Sequence, residues 1–305
     1  MVFTERMTPG SHSYTTFFVY FRRVLVSFFA NVNPRVLLIF LFSLFFTKEI
    51  SAQLLIGPEG GANFSWVSYD DPDLKSVYKI TPVPGFHAGM HVGFRVRKRY
   101  FLHFSLQYST KGKVMELKDP AGTKNPYNNL NFYNKVRYNY IDLPILYTVD
   151  FKGKIGANKE FKYNLGIGPV ISYWLGGKGI YENNDSYEFG QGRTPYTIAF
   201  HNSSPDDHQM SIPSMNRLQL GLTLGGSIIF EPVPSHTIMV TVRYEWGGTY
   251  LSGKSNGLFS KTIYQEPLAS HNRGFRISVA YLLDTKLDQR KRGKSTSKLK
   301  KHKSS

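Results

Sequence analysis

Residues 85–112 read GFHAGMHVGFRVRKRYFLHFSLQYSTKG, and their parity decides the fold. Phe86, Ala88, Met90, Val92, Phe94 and Val96 alternate with Gly85, His87, Gly89, His91, Gly93, Arg95 and Arg97. Beyond Lys98-Arg99, Leu102, Phe104, Leu106 and Tyr108 alternate with His103, Ser105, Gln107 and Ser109. Successive strand side chains point to opposite faces, so a period of two describes a strand with one apolar face. A helix needs a period near 3.6, which neither half shows. The two halves predict a hairpin.

The same pattern recurs on both sides. Eight segments are predicted, at about 54–67, 84–97, 100–112, 137–151, 161–176, 216–230, 236–251 and 273–284. The connections alternate in length. Those after the first, third, fifth and seventh segments are long (68–83, 113–136, 177–215 and 252–272), and those after the second, fourth and sixth are short (98–99, 152–160 and 231–235). Alternating short turns and long loops are the habit of outer-membrane barrels, with the turns periplasmic and the loops outside. The minority face carries Arg95, Asp142, Arg243, Glu245 and Arg276. In a membrane barrel that face points inward, where charges pair, and the apolar face meets lipid. The expected fold is an all-β, eight-stranded, antiparallel up-and-down transmembrane barrel over 53–284. Its narrow interior is filled by side chains, so no open pore is expected. Trp66, Tyr100, Tyr173, Trp174, Tyr244 and Trp246 suit interfacial girdles. The alternative is a secreted, soluble lipocalin-like barrel with the apolar face turned inward.

Residues 36–46, VLLIFLFSLFF, follow Arg35 and precede Ile50-Ser51-Ala52. A short uncharged apolar run before a small-x-small site fits a secretory signal cleaved after Ala52. Residues 1–34 add a second aromatic stretch, Phe17–Phe21, and are read as a misassigned start rather than a long n-region. The formal charge of +17 is uneven: 285–305 hold nine bases and one acid, leaving 24 bases and 18 acids in 53–284. The tail is read as disordered and periplasmic, and the dispersed bases of the body give no nucleic-acid motif. The chain has no cysteine, which removes thiolate catalysis and cysteine-based metal centres.

Six stretches together resemble the PorT-like outer-membrane β-barrel family of Bacteroidetes. They are GPEGGANFS (57–65), GFHAGMHVGF (85–94), FSLQYSTKG (104–112), YNYIDLPILY (138–147), GIGPVISYWLGG (166–177) and RYEWGGTYL (243–251). YIDLP is the most specific of them. The resemblance implies an eight-stranded barrel in the outer membrane, and one branch of the family serves type IX secretion and gliding. The long 177–215 connection and the basic tail depart from the usual pattern.

Two constellations invite a hydrolase reading. His103 and Ser105 share one face, and lipid A deacylase barrels use a similar His-x-Ser pair. Their parity points them into the barrel, away from lipid, so they are read as an interior polar pair. Asp206-Asp207 with His201 and His208 parallels the Asp and His residues of outer-membrane proteases, but all four fall in one loop beside Asn202, Ser203, Ser204 and Pro205. Neither they nor the other histidines have a recognised metal-ligand spacing, and no cofactor motif occurs. The interior polar network is predicted to comprise Arg95, His103, Asp142, Arg243, Glu245 and Arg276, with Asp142 paired to Arg243 or Arg276. The expected protein is not an enzyme. Its partners are outer-membrane lipid and outer-membrane or periplasmic secretion proteins, and nucleic acid is not among them.

Overall fold

The alternating segments form strands that pair edge to edge until the sheet closes. A computed structural model describes residues 53–118, 132–155, 159–182, 193–201, 205–233, 235–253, 256–260 and 264–286. The expected signal segment, its expected cleavage site after Ala52 and the tail beyond Lys286 lie outside the described residues. In chain order the elements are β1 (Gln53–Tyr69), α1 (Pro72–Val77), β2 (Tyr78–Arg97), β3 (Tyr100–Leu117), β4 (Tyr133–Ile155), β5 (Lys159–Glu182), β6 (Arg193–Ala199), β7 (Gln209–Ser211), β8 (Leu218–Val233), β9 (His236–Tyr250), β10 (Gly257–Phe259), β11 (Gln265–Glu266) and β12 (Ser270–Lys286).

β1, β2, β3, β4, β5, β8, β9 and β12 form a closed antiparallel ring. Each pairs with the next, and β12 returns to β1, from Lys286 opposite Gln53 to Ser270 opposite Tyr69. Closure leaves no edge, which is the condition for a sheet to cross hydrocarbon. The seam is close. A Cβ on Gly57 or Gly61 would collide with the backbone carbonyls of Tyr281 or Ile277, so glycine is required at both positions.

Parity runs inside out. On β12, Phe275, Ile277, Val279, Tyr281 and Leu283 are exposed, while Arg276 and Ser278 between them are each 1% exposed. On β9, Val242 is exposed between buried Thr241 and Arg243. A water-soluble barrel needs the reverse, so the lipocalin-like alternative fails. The exposed apolar belt is the surface a lipid bilayer covers.

Strands extend farther at the loop end than periodicity predicted. β2 starts at Tyr78, β3 runs to Leu117, β4 starts at Tyr133 and β5 reaches Glu182. Their inward residues there include Met115, Val136, Tyr138 and Tyr181, which pack with Met210 and Leu268 as an apolar core above the membrane-facing belt. The described parts of the long connections therefore include strands of their own. β6 pairs antiparallel with β5, β7 runs parallel to β6, and β10 and β11 complete the extension. Trp174, expected in a girdle, is fully buried in this crown, because its neighbour Tyr173 takes the outward phase. Trp66, by contrast, packs outside against Tyr244 and Phe275. α1 was not expected. Asp71 caps it by accepting from Asp73 N at 2.9 Å, and Pro72 opens its first turn.

A closed ring resists detergent until heated. We expect the folded chain to change mobility between unboiled and boiled gel samples and to fractionate with outer membranes. One mobility at both temperatures, or recovery from the soluble periplasm, would contradict the closed membrane barrel.

Candidate functional site

The inward residues form a polar column bounded by two apolar ends. At the turn end Leu55, Phe101, Met239, Ala280 and Leu282 pack together. At the loop end lies the crown core. Between and within them, the buried charged residues are the carboxylates Glu59, Asp142, Glu245 and Glu266 and the cations Lys111, Lys113, Arg243 and Arg276. Four charges of each sign cancel among the described residues, apart from any protonated histidine. Buried charge is tolerable only when paired and hydrogen-bonded.

The lower tier centres on Glu59. Arg243 Nη2 donates to its Oε1 at 2.8 Å, as does Ser278 Oγ at 2.8 Å. Ser105 Oγ donates to Oε2 at 2.6 Å, and His91 Nδ1 lies 2.9 Å from the same oxygen. The other ring nitrogen of His91, Nε2, faces His103 Nδ1 at 2.9 Å. If His91 Nδ1 carries the proton toward Glu59, Nε2 is left to accept from His103. A small cavity of about 20 Å³, room for roughly one water, is lined by Glu59, His91, His103 and Arg243.

The middle tier joins both acids to both cations. Lys111 Nζ lies 3.1 Å from Asp142 Oδ1 and 3.4 Å from Glu245 Oε2. Arg276 pairs with Asp142 through Nη2, and its Nε is 2.8 Å from Glu245 Oε1. Ser109 Oγ donates to Asp142 Oδ2 at 2.5 Å, and Arg276 Nη1 donates to Gln107 Oε1 at 3.2 Å. Asp142 itself is wholly buried.

The upper tier belongs to the crown. Lys113 pairs with Glu266, which also accepts from Asn134 Nδ2 at 2.5 Å and from the Tyr264 hydroxyl. Tyr196 OH donates to Asn134 Oδ1 at 2.8 Å. Burial, and then the Glu266 carboxylate, push the Tyr196 and Tyr264 phenols well above their ordinary value of 10.0.

Of the six residues expected in the network, the structure places His103, Asp142, Arg243, Glu245 and Arg276 in the two lower tiers. Asp142 takes Arg276 and Lys111 as partners, while Arg243 takes Glu59. Arg95 stands apart: it is half-buried at the turn end, with its guanidinium 5.1 Å from the Phe101 ring centre. Glu59, His91, Lys111, Lys113 and Glu266 were missed. His91 and Lys111 share the inward parity of named neighbours and were open to that argument, whereas Glu59 lies in a glycine-rich segment without a quoted alternation and Lys113 falls just beyond the predicted end of its strand. Glu266 lies in a two-residue strand with no periodic signal.

The hydrolase readings find no support in this geometry. Ser105 and Glu59 both meet His91 at Nδ1, so His91 cannot accept the serine proton at one nitrogen while the acid orients the other. His103 and Ser105 are 5% and 2% exposed and face the lumen. His208 Nδ1 lies 3.2 Å from Pro195 O, His201 contacts Ser211, and Asp207 accepts from Ser260 at 3.3 Å. Among the described residues no three His, Asp or Glu side chains gather as a metal-ligand set.

A family model described as outer membrane protein beta-barrel domain matches residues 46–248. No curated protein matches the chain. Similar solved structures include Neisserial surface protein A, at 12% identity over 76% of this chain and 98% of its own, with a TM-score of 0.33. OprG from Pseudomonas aeruginosa is 12% identical over 77% of this chain and 97% of its own, with a TM-score of 0.34. The outer membrane protease OmpT from Escherichia coli is 11% identical over 76% and 95%, with a TM-score of 0.27. At such distances function is argued from the chain's own residues.

Removing one partner of a buried ion pair strands the other. Asp142→Ala should lower barrel stability by about 3–5 kcal/mol without preventing membrane targeting. Arg276→Met in that background should cost less than it does alone. Unfolding in urea from lipid vesicles reads both, and additive losses would show that Asp142 and Arg276 are uncoupled.

The crown should be alkali-sensitive. A phenol held neutral when folded binds a proton that the unfolded segment releases above about pH 10. Crown stability is therefore full below that pH and falls as pH rises through it. Proteolysis between β6 and β7 should accelerate above about pH 10, and Tyr264→Phe should blunt the rise. A rate independent of pH would refute this.

Proposed function

The chain belongs to the outer membrane protein beta-barrel domain family, and from that premise we propose that it is a non-enzymatic structural or interaction protein of the outer membrane. The observation that carries this reading is the filled lumen, in which four buried carboxylates balance four buried Lys and Arg side chains among the described residues. Among the described residues, two cavities in it hold about 20 Å³ each, room for a water rather than a solute, and Ser105, His91 and His103 are buried away from any substrate. Any work the barrel does falls to its surfaces: the lipid-facing belt, the crown and the turn end.

The finer assignment is a PorT-like accessory of type IX secretion or gliding in Bacteroidetes. Its support is the six quoted stretches, YIDLP above all, of which Tyr140 and Asp142 occupy interior positions. In this reading the signal is removed after Ala52 and the short turns are periplasmic. Gln53 and Lys286 are paired at the turn end, and on this reading both termini of the barrel lie in the periplasm. The basic tail then extends where an anionic periplasmic partner or membrane surface is within reach. Its partners are outer-membrane lipid and other outer-membrane or periplasmic secretion proteins. Nucleic acid is not a natural partner in that compartment.

Deleting the gene and restoring it, while measuring export of type IX cargo and recovering proteins crosslinked to the chain in outer membranes, tests the accessory role. Loss of export, with a secretion protein captured, is the expected result. Normal export in the deletion strain would remove the secretion assignment and leave the barrel's family and location intact.

A further inference from the structure

Above the apolar belt, β4 and β5 place two cations side by side on the outer surface. Arg137 and Lys178 are direct cross-strand partners. Both are exposed, and Arg137 lies between fully buried Val136 and Tyr138, so the pair points away from the lumen. The row continues on either side. Exposed Thr197 of β6 is opposite Lys178, and Gly112 of β3 is opposite Arg137 with no side chain to cover it. Lys135, two residues farther along β4, shares the outward face.

Like charges opposite each other destabilise a sheet. Among the described residues neither Arg137 nor Lys178 takes part in an ion pair, and Glu182, an acid farther along β5, is held by Arg193 at 3.0 Å. A guanidinium fork, an ammonium and a hydroxyl within one row are donors matched to phosphate oxygens.

Depth narrows the ligand. Ile141, Tyr173 and Leu175, on the membrane side of the row, are exposed and apolar. Arg137 is four residues beyond Ile141, about 13 Å of strand, or roughly 10 Å of height at an ordinary barrel tilt. The pair therefore stands just beyond the exposed apolar belt, on the side where headgroups follow the hydrocarbon. Two cations match a phosphate monoester, with about −1.5 to −2 charge at neutral pH, better than the single charge of a phospholipid diester.

We propose that Arg137, Lys178 and Thr197 bind a monophosphorylated sugar headgroup of an outer-leaflet glycolipid. The assignment rests on the loop end facing the cell exterior, as read above.

The full chain refolded into phosphatidylcholine vesicles tests it. The vesicles carry phosphorylated lipid A, the same lipid A dephosphorylated, or phosphatidylglycerol, and the rate of heat-driven loss of the folded gel band is measured. Phosphorylated lipid A should slow the loss several-fold. The Arg137→Gln/Lys178→Gln variant should lose that protection, yet unfold no faster than the parent in phosphatidylcholine alone, because a repulsion has been removed. Should the double variant fail to fold, Lys178→Gln alone supports the same comparison. Protection that survives the substitutions, or that dephosphorylated lipid A or phosphatidylglycerol supplies equally, overturns the site. Orientation is read separately by Asp207→Cys in this cysteine-free chain, labelled on intact cells with an impermeant maleimide. Failure to label overturns the loop-end-out reading, whereas labelling with no vesicle effect overturns the site alone.

Discussion

A carboxylate at the centre of a membrane-spanning barrel has little water to fall back on, and Asp142 is wholly buried there. Its charge is held by Arg276 and Lys111, and the same two cations reach Glu245. The four residues come from β3, β4, β9 and β12, so the cluster ties opposite walls of the ring together. Break the ring anywhere and the cluster loses members. Remove a member and the ring encloses an uncompensated charge. Closure and charge balance are therefore one condition, met at two levels of structure.

That condition explains the division of labour along each strand. The outward phase has only to be apolar, and Leu218, Leu220, Leu222 and Leu224 show how interchangeable its residues are. The inward phase has to be specific at each height. Glu59 needs Arg243, Ser105 and Ser278 at its own level, and Gly57 and Gly61 on the same strand keep β12 close enough to deliver Ser278. A hydrophobic belt on a closed sheet suffices for membrane residence, whereas the polar column selects one register among the staggered alternatives.

This separates what the sequence makes legible from what it hides. Parity alone assigns Asp142, Arg243 and Arg276 to the lumen, because a residue's face depends only on its phase within its own strand. Height is different. Whether Asp142 meets Arg243 or Arg276 depends on the stagger accumulated from strand to strand around the ring, including the register shifts between Asn139 and Tyr140 and between His271 and Arg273. No local pattern encodes that sum, so Glu59 as the partner of Arg243 was not foreseeable by period. The crown is harder still. β6 and β7 are short and parallel, β11 has two residues, and Glu266 reaches Lys113 from the far side of the chain. Such pairing is non-local and carries no alternation long enough to read.

The two ends of the molecule consequently stand under different constraints. Inside the belt, the buried carboxylates and their cations answer one another, although among the described residues single atoms such as the two ring nitrogens of His87 and Nδ2 of Asn164 have no protein partner, so a change there is felt as stability. Above it, the crown core is shielded by strands of its own, and the outward side chains of β4, β5 and β6 are not needed to satisfy anything beneath them. Arg137 and Lys178 are the clearest case: they contribute nothing to the column and raise the energy of the sheet that bears them. Among the described residues no acid neutralises the pair, which is why a ligand from outside the chain is proposed for it. Folding thus rests on the inward face, whereas the outward face is free to vary, and a residue's parity says whether a substitution will disturb the column.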